Sequence, residues 1–175
     1  MTSDAGSSRA TAAARERSFS WGDPGRTATA VASMSGIELL TAIARGELPV
    51  PPLANALGFE LESIEPGRAV FTLEPAEFHY NPIGSVHGGV YASLLDSSAG
   101  CAVHSLLPVG VGWTSLDLAV RFLRPITVDT GKITSVGTVV HLGRRTALAE
   151  ARLTDVNDRL LATATSSCLI LRPDA

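Results

Sequence analysis

The stretch Asn81-Pro82-Ile83-Gly84-Ser85-Val86-His87-Gly88-Gly89-Val90-Tyr91-Ala92-Ser93-Leu94-Leu95-Asp96-Ser97-Ser98-Ala99-Gly100-Cys101-Ala102-Val103 decides how this chain folds. From Val90 to Val103 the residues are small or apolar on every side, and a helix apolar all round is a buried helix. Asp96 is its only charged group. An ionised carboxylate is costly to bury unless it is paired or hydrogen-bonded. Asp96 is therefore expected to serve chemistry. The competing reading is an acid satisfied by the Ser93 or Ser97 hydroxyl.

Outward from this helix the pattern changes to strands. Phe59–Ile64 and Arg68–Leu73 flank Glu65-Pro66-Gly67, a turn sequence. Trp113–Leu123 alternates, with Leu116, Leu118, Val120 and Phe122 on one face and Ser115, Asp117, Ala119 and Arg121 on the other. Ile133–Leu142, Thr146–Leu153 and Leu160–Leu171 follow, joined by Gly143-Arg144-Arg145 and Asn157-Asp158. Short links between consecutive strands imply antiparallel pairing. One long apolar helix and five or six antiparallel strands give an α+β fold with the sheet wrapped around the helix, the hotdog arrangement.

Ahead of it, residues 1–34 are rich in Ala, Ser, Thr, Arg and Gly, and are expected to form a disordered tail. Phe19 and Trp21 are candidates to tack it to the body. A helical lead-in is expected over 35–56. Ser35 caps a helix over Gly36–Arg45, Gly46 ends it, prolines extend the chain, and a helical turn covers Leu53–Ala56. The hotdog domain then spans 57–173.

With 45% hydrophobic residues in 175, a sizeable core is available to one domain. A net charge of −3 argues against wholesale nucleic-acid binding. No apolar run approaches the ~18 residues of a membrane span, and the N-terminus lacks the apolar run of a secretory signal. Cys101 and Cys168 lie in apolar surroundings and have no metal-ligand spacing. A cytoplasmic protein without a metal is expected.

The glycine pair carries the second chemical signal. Bare backbone N–H groups at a helix start, with the positive end of the dipole, suit an oxyanion. The bland alternative is a tight loop-to-helix junction. Asp96 lies eight residues beyond Gly88, or ~12 Å along a helix. One chain therefore cannot bring its own Asp96 to a carbonyl held at its own Gly88. Two antiparallel helices across a two-fold axis can, so a joint action requires at least a dimer.

Asn81-x-x-Gly84-x-x-His87-Gly88-Gly89, followed after six residues by Asp96, resembles the hotdog-fold acyl-CoA thioesterases of the phenylacetate-degradation (PaaI-like) branch. Thr114-Ser115-Leu116-Asp117 and Arg121-Phe122-Leu123-Arg124-Pro125 are similar to that branch too. The resemblance covers roughly residues 57–171. It implies hydrolysis of a small, medium-chain or aryl acyl-CoA, with coenzyme A present only as part of the substrate and no separate cofactor. Asp96 would be the nucleophile or the general base. The Gly88 N–H would polarise the thioester carbonyl. Asn81 would position substrate or water, and His87 would orient the loop or contact the thioester; the competing readings are an Asx-turn residue before Pro82 for Asn81 and a structural loop histidine for His87. Ser115 would hold the lytic water, although the strand's alternation favours Thr114. Gly89 would let substrate approach closely. Arg124, Arg144 and Arg145 would suit coenzyme A phosphates. A homodimer is implied, and from the resemblance alone a homotetramer. The rival readings are an enoyl-thioester hydratase and a non-catalytic acyl-CoA-binding module. His79, His104 and His141 are read as structural.

Overall fold

The central helix, Gly88–His104, lies against one face of a six-stranded antiparallel sheet and touches every strand. A computed structural model of the protein describes residues 14–172. In chain order the elements are α1 Pro24–Ala30, α2 Gly36–Ala44, α3 Pro52–Leu57, β1 Phe59–Glu65, β2 Arg68–Leu73 and α4 Gly88–His104. Then follow β3 Gly112–Phe122, β4 Ile133–Leu142, β5 Thr146–Thr154 and β6 Leu160–Leu171. The sheet order is β1-β2-β4-β5-β6-β3, with every pairing antiparallel. This is the expected hotdog fold. No described helix is long and apolar enough to cross a membrane.

The helix sits close on the sheet because glycine lets it. A Cβ on Gly137 of β4 would lie 2.1 Å from the Ser98 carbonyl oxygen, and one on Gly100 would lie 1.8 Å from the Trp113 ring. Around these contacts Leu94, Leu95, Ala99, Ala102 and Val103 meet Leu73, Ile133, Leu153 and Leu161, all essentially sealed. Burying each leucine stabilises the fold by about 1.5–3 kcal/mol. The polar Ser98 and Ser135 hydroxyls are fully buried but bond each other at 2.8 Å.

Two expectations are corrected here. The tail before residue 34 is not wholly without structure. Asp23 caps α1 through Oδ1, which accepts from Gly25 N at 2.9 Å, and Pro24 occupies the first turn. That cap-plus-proline signal needs no apolar content, which is why composition hid it. Ala30 and Val31 pack against Leu39, Leu40 and Ile43 of α2, and the earlier part of the segment is held by polar bonds. Arg17 donates to the Ala56 and Asn55 carbonyls at the end of α3, and Asn55 Nδ2 donates to Ser20 O at 2.9 Å. Phe19 and Trp21 stay about half exposed. The rest of the expected tail, residues 1–13, lies outside the described residues.

The second correction concerns β3. Its register against β6 slips between Ser115 and Asp117, which makes Leu116 the extra residue of a β-bulge. Trp113 and Ser115 pair with the inward-facing Ile170 and Cys168; beyond the bulge Leu118 and Val120 pair with the inward-facing Ser166 and Ala164. Ser115 therefore faces the helix with Leu118 and Val120, while Leu116 is 57% exposed. Strict alternation cannot detect an inserted residue, so Leu116 was read on the wrong face.

Ahead of the sheet, α2 and α3 pack beside β1. The Glu38 carboxylate accepts from Ser35 N at 2.8 Å and from its hydroxyl at 2.6 Å, fixing the start of α2. A Cβ on Gly36 would lie 1.7 Å from the His104 carbonyl, so α2 is pressed onto the end of α4.

Candidate active site

The loop from Tyr80 to His87 aims the start of α4. Asn81 Oδ1 accepts from Ile83 N at 3.0 Å and Ser85 N at 3.3 Å, and its Nδ2 donates to Ser85 Oγ at 3.1 Å. This is the Asx-turn arrangement, which closes the loop on itself. The loop is then pinned on both sides: Val86 N donates to Ile126 O and His87 N to His79 O, each at 2.8 Å.

His87 is the N-cap residue, and its Nδ1 accepts from Gly89 N at 2.9 Å. Nδ1 is therefore the accepting nitrogen, and Nε2 carries the N–H. With the Gly89 N–H occupied, the neighbouring Gly88 N–H donates to no group among the described residues. Gly88 lines a cleft with Asn81, Tyr91, Phe122 and Arg124. Tyr91 and Phe122 were not singled out as site residues. Their rings meet edge to face at 5.4 Å, and Tyr91 Oη donates to Arg124 O at 3.0 Å, setting the wall of this cleft. Only the position of Tyr91, three residues after Gly88 on the same helix, could have signalled it.

Asp96 lies in a separate cleft with Ala92, Ser93, Ser115, Leu116 and Asp117. Ser115 Oγ donates to Asp96 Oδ1 at 2.8 Å. The bulge at Leu116 turns Ser115 inward and leaves Thr114 facing out, away from both clefts. Asp96 is not sealed as the sequence suggested. With Ala92, Ser93 and Ser97 it forms a half-buried stripe along α4. Asp117 brings a second carboxylate to the rim, its Oδ1 accepting from Ser167 N at 3.2 Å.

The remaining candidates divide. Arg124 stands in the Gly88 cleft, where its guanidinium also donates to Leu160 O. Arg144 and Arg145 sit exposed at the β4–β5 turn and line neither cleft. No group of three or more His, Cys, Asp or Glu side chains suited to a metal occurs among the described residues.

His79, His104 and His141 line neither cleft. His79 is buried; its Nδ1 accepts from Ala76 N at 3.0 Å, so Nε2 donates to Leu57 O at 2.7 Å. Burial, followed by the Arg17 charge, holds its pKa below the usual 6.5. Burial also depresses that of His104. Folding disfavours the protonated form of both, so the unfolded chain binds more protons just below pH 6.5. Their contribution is complete above about 6.5 and is lost as pH falls through the window down to the lowered folded pKa. The melting temperature is expected to drop across that window. His79→Gln should flatten the drop, while an unchanged pH slope would remove His79 as a cause.

A six-stranded antiparallel sheet wrapped around one long helix defines a hotdog fold. The chain belongs to the thioesterase superfamily, whose family model matches residues 83–162. A 1,4-dihydroxy-2-naphthoyl-CoA hydrolase of Listeria monocytogenes is 31% identical over 119 residues, 67% of this chain and 93% of the relative. The Escherichia coli PaaI protein from the phenylacetic acid degradation operon superposes with a TM-score of 0.67 at 26% identity, covering 82% of this chain and 98% of the other. A phenylacetic acid degradation-related protein of Ralstonia eutropha gives 0.68 at 28%, covering 74% and 98%. The PaaI-like resemblance is borne out, and the protein is an acyl-CoA thioesterase.

Proposed function

We propose that the protein hydrolyses its acyl-CoA at a site shared between two copies, with Asp96 of one facing the Gly88 N–H of the other. One observation carries this reading: the two half-sites occupy different clefts of one rigid helix, ~12 Å apart. β3 runs past both, with Ser115 at the Asp96 cleft and Phe122 at the Gly88 cleft. It is also an edge strand of 11 residues, a natural place for a second chain to pair. Antiparallel pairing of two β3 edges with Ser115 opposite Phe122 joins each Asp96 cleft to a partner's Gly88 cleft. It also roofs the half-buried stripe around Asp96.

In the joined site the Gly88 N–H, free of other acceptors, donates to the thioester oxygen as it gains charge. Ser115 holds Asp96 Oδ1, leaving Oδ2 to act. As general base, Oδ2 takes a proton from water, the water oxygen adds to the carbonyl carbon, the C–S bond breaks, and the thiolate takes the proton back. As nucleophile, Oδ2 itself adds, the thiolate leaves, and water cleaves the resulting anhydride. Both routes give a carboxylic acid and a free thiol. A single turnover in H₂¹⁸O separates them, since only the nucleophilic route leaves label in Asp96. Asn81 and His87 position the amide by fixing the loop and the cap, and Arg124 offers a guanidinium to coenzyme A phosphate.

Thiol release over an acyl-CoA panel tests the reading. Turnover of at least one member is expected. Binding of several with release from none would make the protein a binding module. Hydration of an enoyl-CoA without thiol release would make it a hydratase; the Asp96 cleft holds no histidine of its own chain.

A further inference from the structure

One mainly apolar cavity in the described fold is not used by the chemistry above. It is roughly 370 Å³ and lies between the lead-in helices α2 and α3, strands β1 and β2, and the side of α4. Leu40 and Ile43 wall it from α2, Leu53 and Ala54 from α3, and Phe59 and Phe71 from the sheet, their rings edge to face at 5.8 Å. Its floor is Ser97 and Cys101 of α4. Ser97 immediately follows Asp96, so the carboxylate cleft and this cavity lie on adjoining sides of one ridge of the helix. The side chains on that ridge, Ser93 and Ser97, are short and half-buried.

We propose that this cavity receives the acyl group of the substrate, selecting an apolar, uncharged acyl chain that passes over Ser97 from a carbonyl held at Asp96. The inference rests on the thioesterase reading and names the substrate class within it. Several observations support it beyond position. The volume lies in the range that small-molecule pockets occupy. The lining is mainly apolar: its polar side chains are Asn55, whose Nδ2 is engaged by Ser20 O, the Ser97 hydroxyl on the floor and Glu60 at the exposed edge. A charged or polyhydroxylated acyl group would lose its hydration there without replacement. Burial, and then the Asp96 charge, push the Cys101 thiol up to about 12, so the floor is apolar in character and within electrostatic reach of the carboxylate. The walls from α2 and α3 precede residues 83–162, so the selecting surface comes from outside the segment matched by the family model.

Two variants of the full chain narrow the cavity from opposite sides. Leu53→Trp does so at the rim, where Leu53 is 55% exposed and a larger side chain leaves the fold intact. Ser97→Leu does so at the floor. The readout is the ratio of kcat/KM for octanoyl-CoA, and separately for phenylacetyl-CoA, to that for acetyl-CoA. In wild type both ratios are expected to exceed one, with succinyl-CoA the poorest member. Each variant is expected to lower the octanoyl ratio at least tenfold, and the phenylacetyl arm reads whether rings and linear chains share the cavity. Unchanged ratios in both variants would overturn the proposal. A non-hydrolysable octyl-CoA thioether keeps this test apart from the thioesterase reading. Its Kd should rise at least tenfold in Leu53→Trp whether or not any acyl-CoA is turned over. Equal binding by wild type and Leu53→Trp contradicts the cavity assignment.

Discussion

Asp96→Asn is expected to lower kcat for acyl-CoA hydrolysis by ~10²–10⁴ or more, since positioned acid–base help alone is worth that much. The amide has nearly the size of the carboxylate and still accepts from Ser115 Oγ, now 2.8 Å from Asp96 Oδ1. What it loses is the oxygen that, in the proposed mechanism, would attack the carbonyl or take the proton from water. Acyl-CoA binding should survive, because the variant alters no group assigned to coenzyme A or to the acyl chain. Stability should survive as well, because Asp96 is half-buried and makes no ion pair among the described residues. A near-normal kcat would make Asp96 a structural acid, the alternative that its serine neighbours first suggested.

Gly88→Pro should remove the other half of the chemistry while leaving the helix standing. Proline lacks the N–H that would donate to the oxyanion, and it is well accepted in the first turn of a helix. Gly88 is the first residue of α4. The residue before a proline must be extended, and His87 is, with φ −63° and ψ 138°. The new ring approaches Phe122, whose Cζ would lie 3.2 Å from a Cβ at this position. Phe122 is 57% exposed and can give way. Loss of one oxyanion donor typically costs ~10²–10³ in kcat, about 2.7–4 kcal/mol. Unaltered far-ultraviolet circular dichroism together with that loss would assign the amide. An active Gly88→Pro enzyme would leave the glycine as a junction residue only.

Much of this arrangement can be read from residue types. The apolar run around Asp96 announces a core helix, and the short turns after Leu142 and Thr154 announce antiparallel strands. The cap at Ser35 and the breaker at Gly46 frame α2 because capping is a local effect. Asn81 before Pro82 already offers an Asx turn, and its side chain makes one. Two things are hidden. The bulge at Leu116 depends on register against β6, which pairs residues some fifty positions away. The half-open stripe at Asp96 depends on which strands reach that side of α4, and composition alone made it look sealed. The same non-local dependence explains Arg144 and Arg145, whose charge suits a phosphate but whose hairpin lines neither cleft.

The shared site is the central claim, and mixing the two inactive chains tests it most directly. Asp96→Asn and Gly88→Pro chains carrying different tags are co-expressed, and the doubly tagged assembly is isolated. In a shared site, the Gly88 of the Asp96→Asn chain faces the Asp96 of the Gly88→Pro chain, so one of the two sites is intact and the other carries both lesions. The mixed dimer is therefore expected to recover about half of wild-type kcat per dimer, although each parent is almost inactive. If the mixed assembly forms and stays as inactive as its parents, each chain carries its own complete site, and the account given for Gly88 and Asp96 is wrong.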